Sequence, residues 1–562
     1  MGRSTTHGLR KPPPEPIETL IETILEDVLQ TASMPSDQWR KLWPDPFTSM
    51  AISVGGGREY PCTQAGVDAA HRLTEQTWQA RADLRQTISR EAFNRLSFMA
   101  IGQAIASSPT HIPPDAAPGP AEDAFFVAVA GDYAANLDVL AASARPTVDR
   151  HIPCELFHPD QKVAAFSVGP VTFRPRDVWI ADYVKDPLVL GHVQQVDQRI
   201  LPIADLRKRA YAAGAAEDLQ EALSVLSFLN GHSWFGTIRM TNHEATQSHD
   251  KASVIVGLAI DLIGLRFHVD DARRFTKVGW RHLFGEVRQA TGVNGRFLQG
   301  MRAVLPGLGG RPGALAAKMV AEQPFLDAAG EVLTAYVVAR NTGQAAHLVE
   351  RWANALYWFG EARREASDFM AVVDYGCAAD GLSGAGGDIK IMKAFADAAL
   401  NPKGSSPNPQ GILDAVNRVY SEGRNKLAHG EVPGLFEDQL ETRKLGEALL
   451  SELLNDVTPA LAEIMKTRPK FLTVPEEHAY KAFVTYLKNR PQKRKCLFQP
   501  NENTKTTAVS SLFKTLSFAQ GFSPCFRSIQ ERRTTARTAM VRRFVSIRGA
   551  DARRPFMSSR IC

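Results

Sequence analysis

Residues 412–431 read ILDAVNRVYSEGRNKLAHGE. Ile412, Val416, Val419, Tyr420 and Leu427 recur at helical spacing, which predicts a helix with one apolar face. Gly430 is placed as the residue just past its end, where a left-handed conformation is wanted. Leu440, Leu445, Leu449, Leu453 and Leu454 predict another apolar helix downstream.

Upstream, Leu348, Trp352, Leu356 and Phe359 form an apolar stripe on one helix. Phe369, Val372, Val373, Gly376 and Cys377 continue on a second. GLSGAGG (381–387) breaks it, Ile389 to Leu400 resumes, and NPKGSSPNP (401–409) is a loop by composition. Four or five helices with short links predict an up-and-down bundle over residues 341–470.

Outward from the bundle the pattern changes. Ile17, Leu20, Ile21, Ile24, Leu25, Val28 and Leu29 predict an amphipathic helix, and residues 64–106 two more. Ser108 to Pro120 carries five prolines and reads as a linker or long loop. Short apolar runs follow, at AFFVAVA (124–130), at VAAFSVGPVTF (163–173) with its Gly169-Pro170 break, and at Ser233 to Met240. Ala252 to Val269 fits strand or helix. The expectation is a mainly α protein with an α+β N-terminal region. It has a helical part over 1–107, an α+β sensor or regulatory domain over 108–282, a helical connector over 283–340, the bundle, and a basic tail over 491–562.

The chain has 562 residues, ample to bury a core without disulfides. Its 44% hydrophobic and 22% charged residues exclude collagen-like, low-complexity and wholly disordered classes. The net charge of +6 hides a division. Residues 491–562 hold 15 Lys/Arg and 3 Asp/Glu, a net of +12, so the first 490 carry −6. The pI near 8.9 is therefore no sign that the body binds nucleic acid. The tail reads as disordered, or as a basic arm for RNA or DNA phosphates.

The six Cys include no CxxC pair, so neither a zinc ribbon nor a secreted disulfide framework is expected. A reducing, cytoplasmic setting fits. No membrane span is expected, since the longest apolar run, Ala252 to Phe267, is interrupted by Asp261. The leader has no apolar core of a signal peptide, although MGRSTT matches the loose myristoylation pattern. His243-Glu244 lacks the second His of HExxH, the glycine runs at 55–57, 307–313 and 384–387 lack the P-loop Lys, and Ser383 is not in a GxSxG context.

One constellation carries chemistry. Arg424 and His429 are five positions apart, and with 45 Arg and 14 His about one such spacing is expected by chance. The helical context is what makes it informative. On a regular helix Arg424 and His429 stand about 140° apart, whereas Asn425 and His429 share a face. His429 in the last turn meets the negative end of the helix dipole, which favours imidazolium, while a nearby Arg opposes it. A group poised in this way suits proton transfer near neutral pH. RNA scission by the 2′-hydroxyl fits the set. A His takes or returns the proton, an Arg holds the extra phosphorane charge, and an Asn orients. This chemistry needs no metal, and no cofactor is expected. One set is incomplete, and two across a two-fold axis would complete it, so a homodimer is expected.

Arg424-Asn425-x-x-x-His429 at a helix end in a C-terminal bundle resembles the HEPN superfamily. More narrowly, VNRVYSEGRNKLAHGE resembles the Apea-like HEPN family, and AADGLSG (378–384) resembles its acidic helix. The family usually has Glu where this chain has Asp380. The resemblance covers about 345–466. It implies a metal-independent endoribonuclease, homodimers with a composite site, and a role in prokaryotic defence or toxin systems. Arg424, Asn425 and His429 would be catalytic, RNA the substrate, and the N-terminal region the receiver of an unknown trigger. The competing expectation is a non-catalytic dimerisation or RNA-binding bundle with an N-terminal recognition domain. A separate enzyme in the α+β region finds no nucleophile–base pair to support it.

Overall fold

The computed structural model describes residues 15–32, 34–35, 38, 51–107, 120–280, 286–293, 296–303, 306–342, 347–430, 438–468 and 475–491. The myristoylation pattern, most of the proline-rich stretch at 108–120 and all of the basic tail after Pro491 lie outside them. Leu20, Ile21, Ile24, Leu25 and Val28 form the buried face of α1 (Ile17–Ala32), as their spacing predicts. α1 shares a core with the hairpin β1 (Ala51–Gly55) and β2 (Arg58–Pro61), and with α2 (Gln64–Ala80), α3 (Arg90–Ser107) and α4 (Pro120–Ser143). The glycine run at 55–57 is the hairpin turn, and all three residues have positive φ.

AFFVAVA (124–130), expected to be a strand, lies inside α4. A short apolar run does not distinguish a strand from a buried helix. Phe126, Val129, Tyr133 and Leu137 fall on one helical face and fill the N-terminal core, so α4 belongs with the first helices and not with the sheet. Among the described residues, Ala124–Ser143 is the one stretch long and apolar enough to cross a membrane, not the run at 252–267.

The sheet has the order β4-β5-β6-β3-β7 and is antiparallel throughout. Its strands are β3 (Val148–Glu155), β4 (Phe166–Val168), β5 (Val171–Pro175), β6 (Trp234–Met240) and β7 (Thr276–Lys277). Gly169-Pro170 is the β4–β5 turn, with Gly169 at φ 57° against the backbone of Gly330. One face carries α5 (Arg176–Tyr183), α6 (Pro187–Asp197), α7 (Ile203–Ala210) and α8 (Glu217–Leu229), which meet Phe235. The other packs α9 (Ala245–Gly264), which resolves the ambiguous 252–269 run as largely helix. Every residue of α9 from Ile255 to Gly264 is buried. It is buried all round because it lies between the sheet and the C-terminal helices.

Residues 283–340, expected to be helical, begin instead with an antiparallel hairpin, β8 (Glu286–Val293) and β9 (Arg296–Ala303). The sequence between them, Asn294-Gly295, is the strongest two-residue hairpin signal. α10 (Ala314–Thr342) follows.

The C-terminal helices are α11 (His347–Arg364), α12 (Asp368–Ser383), α13 (Ile389–Leu400), α14 (Pro409–Val416), α15 (Leu440–Thr467) and α16 (Glu476–Asn489). Leu348, Trp352, Leu356 and Phe359 are buried, as are Leu449, Leu453 and Leu454. The chain is thus mainly helical with a small antiparallel sheet region. Buried charge fastens α11 and α12 to α15. Arg363 donates to Glu447 at 2.6 Å, and Tyr375 donates its hydroxyl to the same carboxylate. Burial works against ionisation of Glu447, but Arg363, Tyr375 and Ser451 hold its pKa below the usual range. Arg443 donates to the carbonyl of Glu365 at 2.7 Å and to Asp368 at 2.8 Å, satisfying backbone groups left open just past the end of α11.

Candidate functional site

The helix that opens with α14 does not stay α-helical. Asn408 caps it, its side chain accepting from the Gly411 N–H at 2.9 Å, with Pro409 in the first turn. From Asn417 to Asn425 the winding is that of a π-helix, and a single α-turn, Lys426–Ala428, completes it. The regular helix assumed in placing Arg424 and His429 about 140° apart is therefore not what the chain forms. π-turns are rare and are frequent at functional sites.

The wide turn packs closely on α12. Gly423 is buried, and a Cβ there would come within 2.6 Å of Val372 Cγ1. The next residue, Arg424, lays its stem on Gly376, whose own Cβ would meet Arg424 Cβ at 2.4 Å. Two consecutive residues thus touch the same face of α12, one turn apart.

Arg424 is half-buried. Its Nη1 donates to Asn425 Oδ1 at 2.9 Å and, at a longer 3.4 Å, to the Tyr420 hydroxyl. The guanidinium carbon lies 5.3 Å from the Tyr420 ring centroid, a cation–π contact. Arg424 Nε is buried with no hydrogen-bond partner among the described residues. Burial pushes the Cys377 thiol up, against a hydrogen bond to Arg424 that pulls it down. Tyr420 is raised by burial and by the Asp380 carboxylate.

His429 is exposed at the end of the segment. Its backbone N–H donates to the Asn425 carbonyl at 3.0 Å, and Gly430 follows at φ 69°. The left-handed glycine stops the helix, leaving the imidazole at the rim. The structure brings Arg424 and Asn425 side chains together. It does not bond either to the His429 side chain, which has no hydrogen-bond partner among the described residues. Asp380 accepts from the Gly387 N–H at 3.0 Å and so closes the GLSGAGG turn. The sequence reading missed four members of this cluster: Tyr420, counted only as core, Cys377, and the two glycines Gly376 and Gly423. A lone glycine inside a helical pattern was the available signal.

The near-motifs have structural employment. Ser383 is buried and its hydroxyl donates to the Ala379 carbonyl at 2.8 Å. Glu244 caps α9, and His243 Nε2 lies 2.9 Å from Lys251 Nζ. Among the described residues, no group of three His, Cys, Asp or Glu is placed to hold a metal ion. Compared with known proteins, the chain matches no family model, no curated protein and no solved structure.

Proposed function

We propose that the chain is a metal-independent endoribonuclease with a HEPN-type C-terminal bundle, cutting RNA by attack of its own 2′-hydroxyl. The observation that carries the reading is the pairing of Arg424 with Asn425, one helical turn from an exposed His429. His429 is free to reach a ribose hydroxyl or a leaving 5′-oxygen and to exchange a proton with it. Arg424 is held on its stem by Gly376 and at Nη1 by Asn425, so its charge is fixed in place for a phosphorane. Asn425 positions Arg424. A second copy across a two-fold axis would bring another His429 and Arg424 to the same phosphate. The setting would be cytoplasmic, in prokaryotic defence or a toxin-like role, with the N-terminal region receiving the trigger.

The test is RNA cleavage in EDTA by the full chain, by His429→Ala and by Arg424→Ala. Cleavage by the wild type alone, leaving 2′,3′-cyclic phosphate ends, is the expected result. Undiminished cleavage by either variant would overturn the roles.

A second reading has an observation of its own. Arg424 is occupied by Tyr420 and Asn425 and makes no hydrogen bond to His429, as a residue that merely fastens the helix would do. On that reading the bundle dimerises or binds RNA without turnover. Both variants would then alter stability or RNA affinity, and the wild type would show no cleavage.

A further inference from the structure

Lys277 ends β7, an edge strand of the sheet, and is 6% exposed. It lies on the wall of a cavity of about 340 Å³ between α9, the turn after β7, and α11. That volume is at the small end of the range for ligand pockets. Val254 and Leu258 give part of the wall, and the Trp280 indole another part.

Arg364, Asp261 and Glu361 pair with one another, and Lys277 stands outside that network. Arg364 donates to Asp261 at 2.5 Å and to Glu361 at 3.0 Å, and stacks on Trp280 at 3.6 Å. Glu365 accepts from the Ser367 N–H at 3.0 Å. Lys277 Nζ donates to the Ser253 hydroxyl at 2.8 Å and more weakly to the Val278 carbonyl at 3.4 Å. No carboxylate lies within ion-pair distance of it among the described residues. A buried ammonium without a counter-charge is costly, and it sheds its proton readily. Burial, with the Arg364 charge beside it, pulls the Lys277 pKa down to about 8, against Asp261, Glu361 and the Cys154 thiol. Desolvation next to another cation is one way an amine is made nucleophilic.

The same walls argue against a free anion as the occupant. Asp261, Glu361 and Glu365 outnumber Lys277 and Arg364 there, so an anion would meet net negative charge. A neutral carbonyl compound avoids this, because an iminium keeps the one positive charge where the lysine had it.

We propose that this cavity is a small-molecule site in which Lys277 takes an aldehyde or ketone as an imine. The amine lone pair forms a C–N bond to the carbonyl carbon. One amine proton passes to the oxygen and a second comes from solvent. The C–O bond breaks and the oxygen leaves as water. The nitrogen keeps its other proton as an iminium, and nothing is oxidised or reduced. The site lies apart from Arg424 and His429, and nothing in this proposal rests on ribonuclease activity.

The full chain is treated with propanal and sodium cyanoborohydride at pH 7, and alkylation of each lysine is followed by peptide mass spectrometry. Exposed lysines titrate near 10.4 and are almost wholly protonated there. Lys277 is expected to react at least tenfold faster than Lys444 and Lys481, which are exposed. A rate equal to theirs or slower overturns the proposal. Val254, at the rim, is 43% exposed, and Val254→Trp narrows the entry. In a variant that melts like the wild type, the Lys277 rate should fall at least fivefold with Lys444 unchanged. An unchanged Lys277 rate would overturn the cavity as the route.

Discussion

Asp374, on α12, is a carboxyl buried close to two others. Burial, with Glu365 and Glu361 adding like charge, pushes it up to about 6 from 3.8. The folded state therefore holds this proton more tightly than the unfolded chain does. The stability this proton contributes is fully present below about pH 3.8 and is lost as pH rises through about 6. Asp374→Asn removes the titration. At pH 7.5 the variant should be more stable than wild type by roughly 3 kcal/mol, and the gap should close toward pH 4. Urea melts across that range check it, and a gap independent of pH would refute it. At the same scale, the sequence placed Arg424, Asn425 and His429 on one helix end but could not place Arg424 against Gly376. That contact depends on which face α12 presents, and periodicity within one helix does not carry this.

Elements were legible where local chemistry and burial agree. The Gly430 stop, the Gly169-Pro170 turn and the α1 stripe all follow from local rules, and the structure contains each of them. Elements were misread where an exposed face is itself apolar and hides the period, as with Val127 and Val139 of α4, or where a short turn signal went unweighted, as at Asn294-Gly295. The π-winding at Asn417–Asn425 was not legible, because the segment packs Gly423 against Val372 of another helix, a contact that the periodicity of one helix does not carry. The start of that helix depends on Asn408. Asn408→Ala leaves the Gly411 N–H without its cap and should cost about 1 kcal/mol in thermal or urea unfolding. A loss within error would mean that packing of Ile412 and Val416 alone fixes the entry.

At the scale of the whole molecule, buried ion pairs join the sheet region to the bundle. Asp261 of α9 and Arg364 of α11 are 103 positions apart in sequence and both largely buried. Asp261→Ala strands a buried guanidinium with Glu361 as its remaining partner. It should lower stability by about 3 kcal/mol. Arg364→Met added to it should restore part of that loss, with a coupling above about 1 kcal/mol in a double-mutant cycle. Additive losses would show that the two residues do not act as a pair.

By itself the sequence determined the mainly helical class with a β-containing N-terminal part, the third bundle helix, its glycine stop and the residues at its end. These are set by spacing of apolar side chains and by φ preferences, which act over a few neighbours. Only the tertiary structure decided that α4 joins the first helices, that the Arg424 helix winds as π, and that Lys277 lies in a cavity with no carboxylate within ion-pair distance of it among the described residues. Each of these depends on which distant surfaces meet at close packing. Burial against a partner far along the chain, unlike local propensity, is fixed only when the whole molecule is assembled.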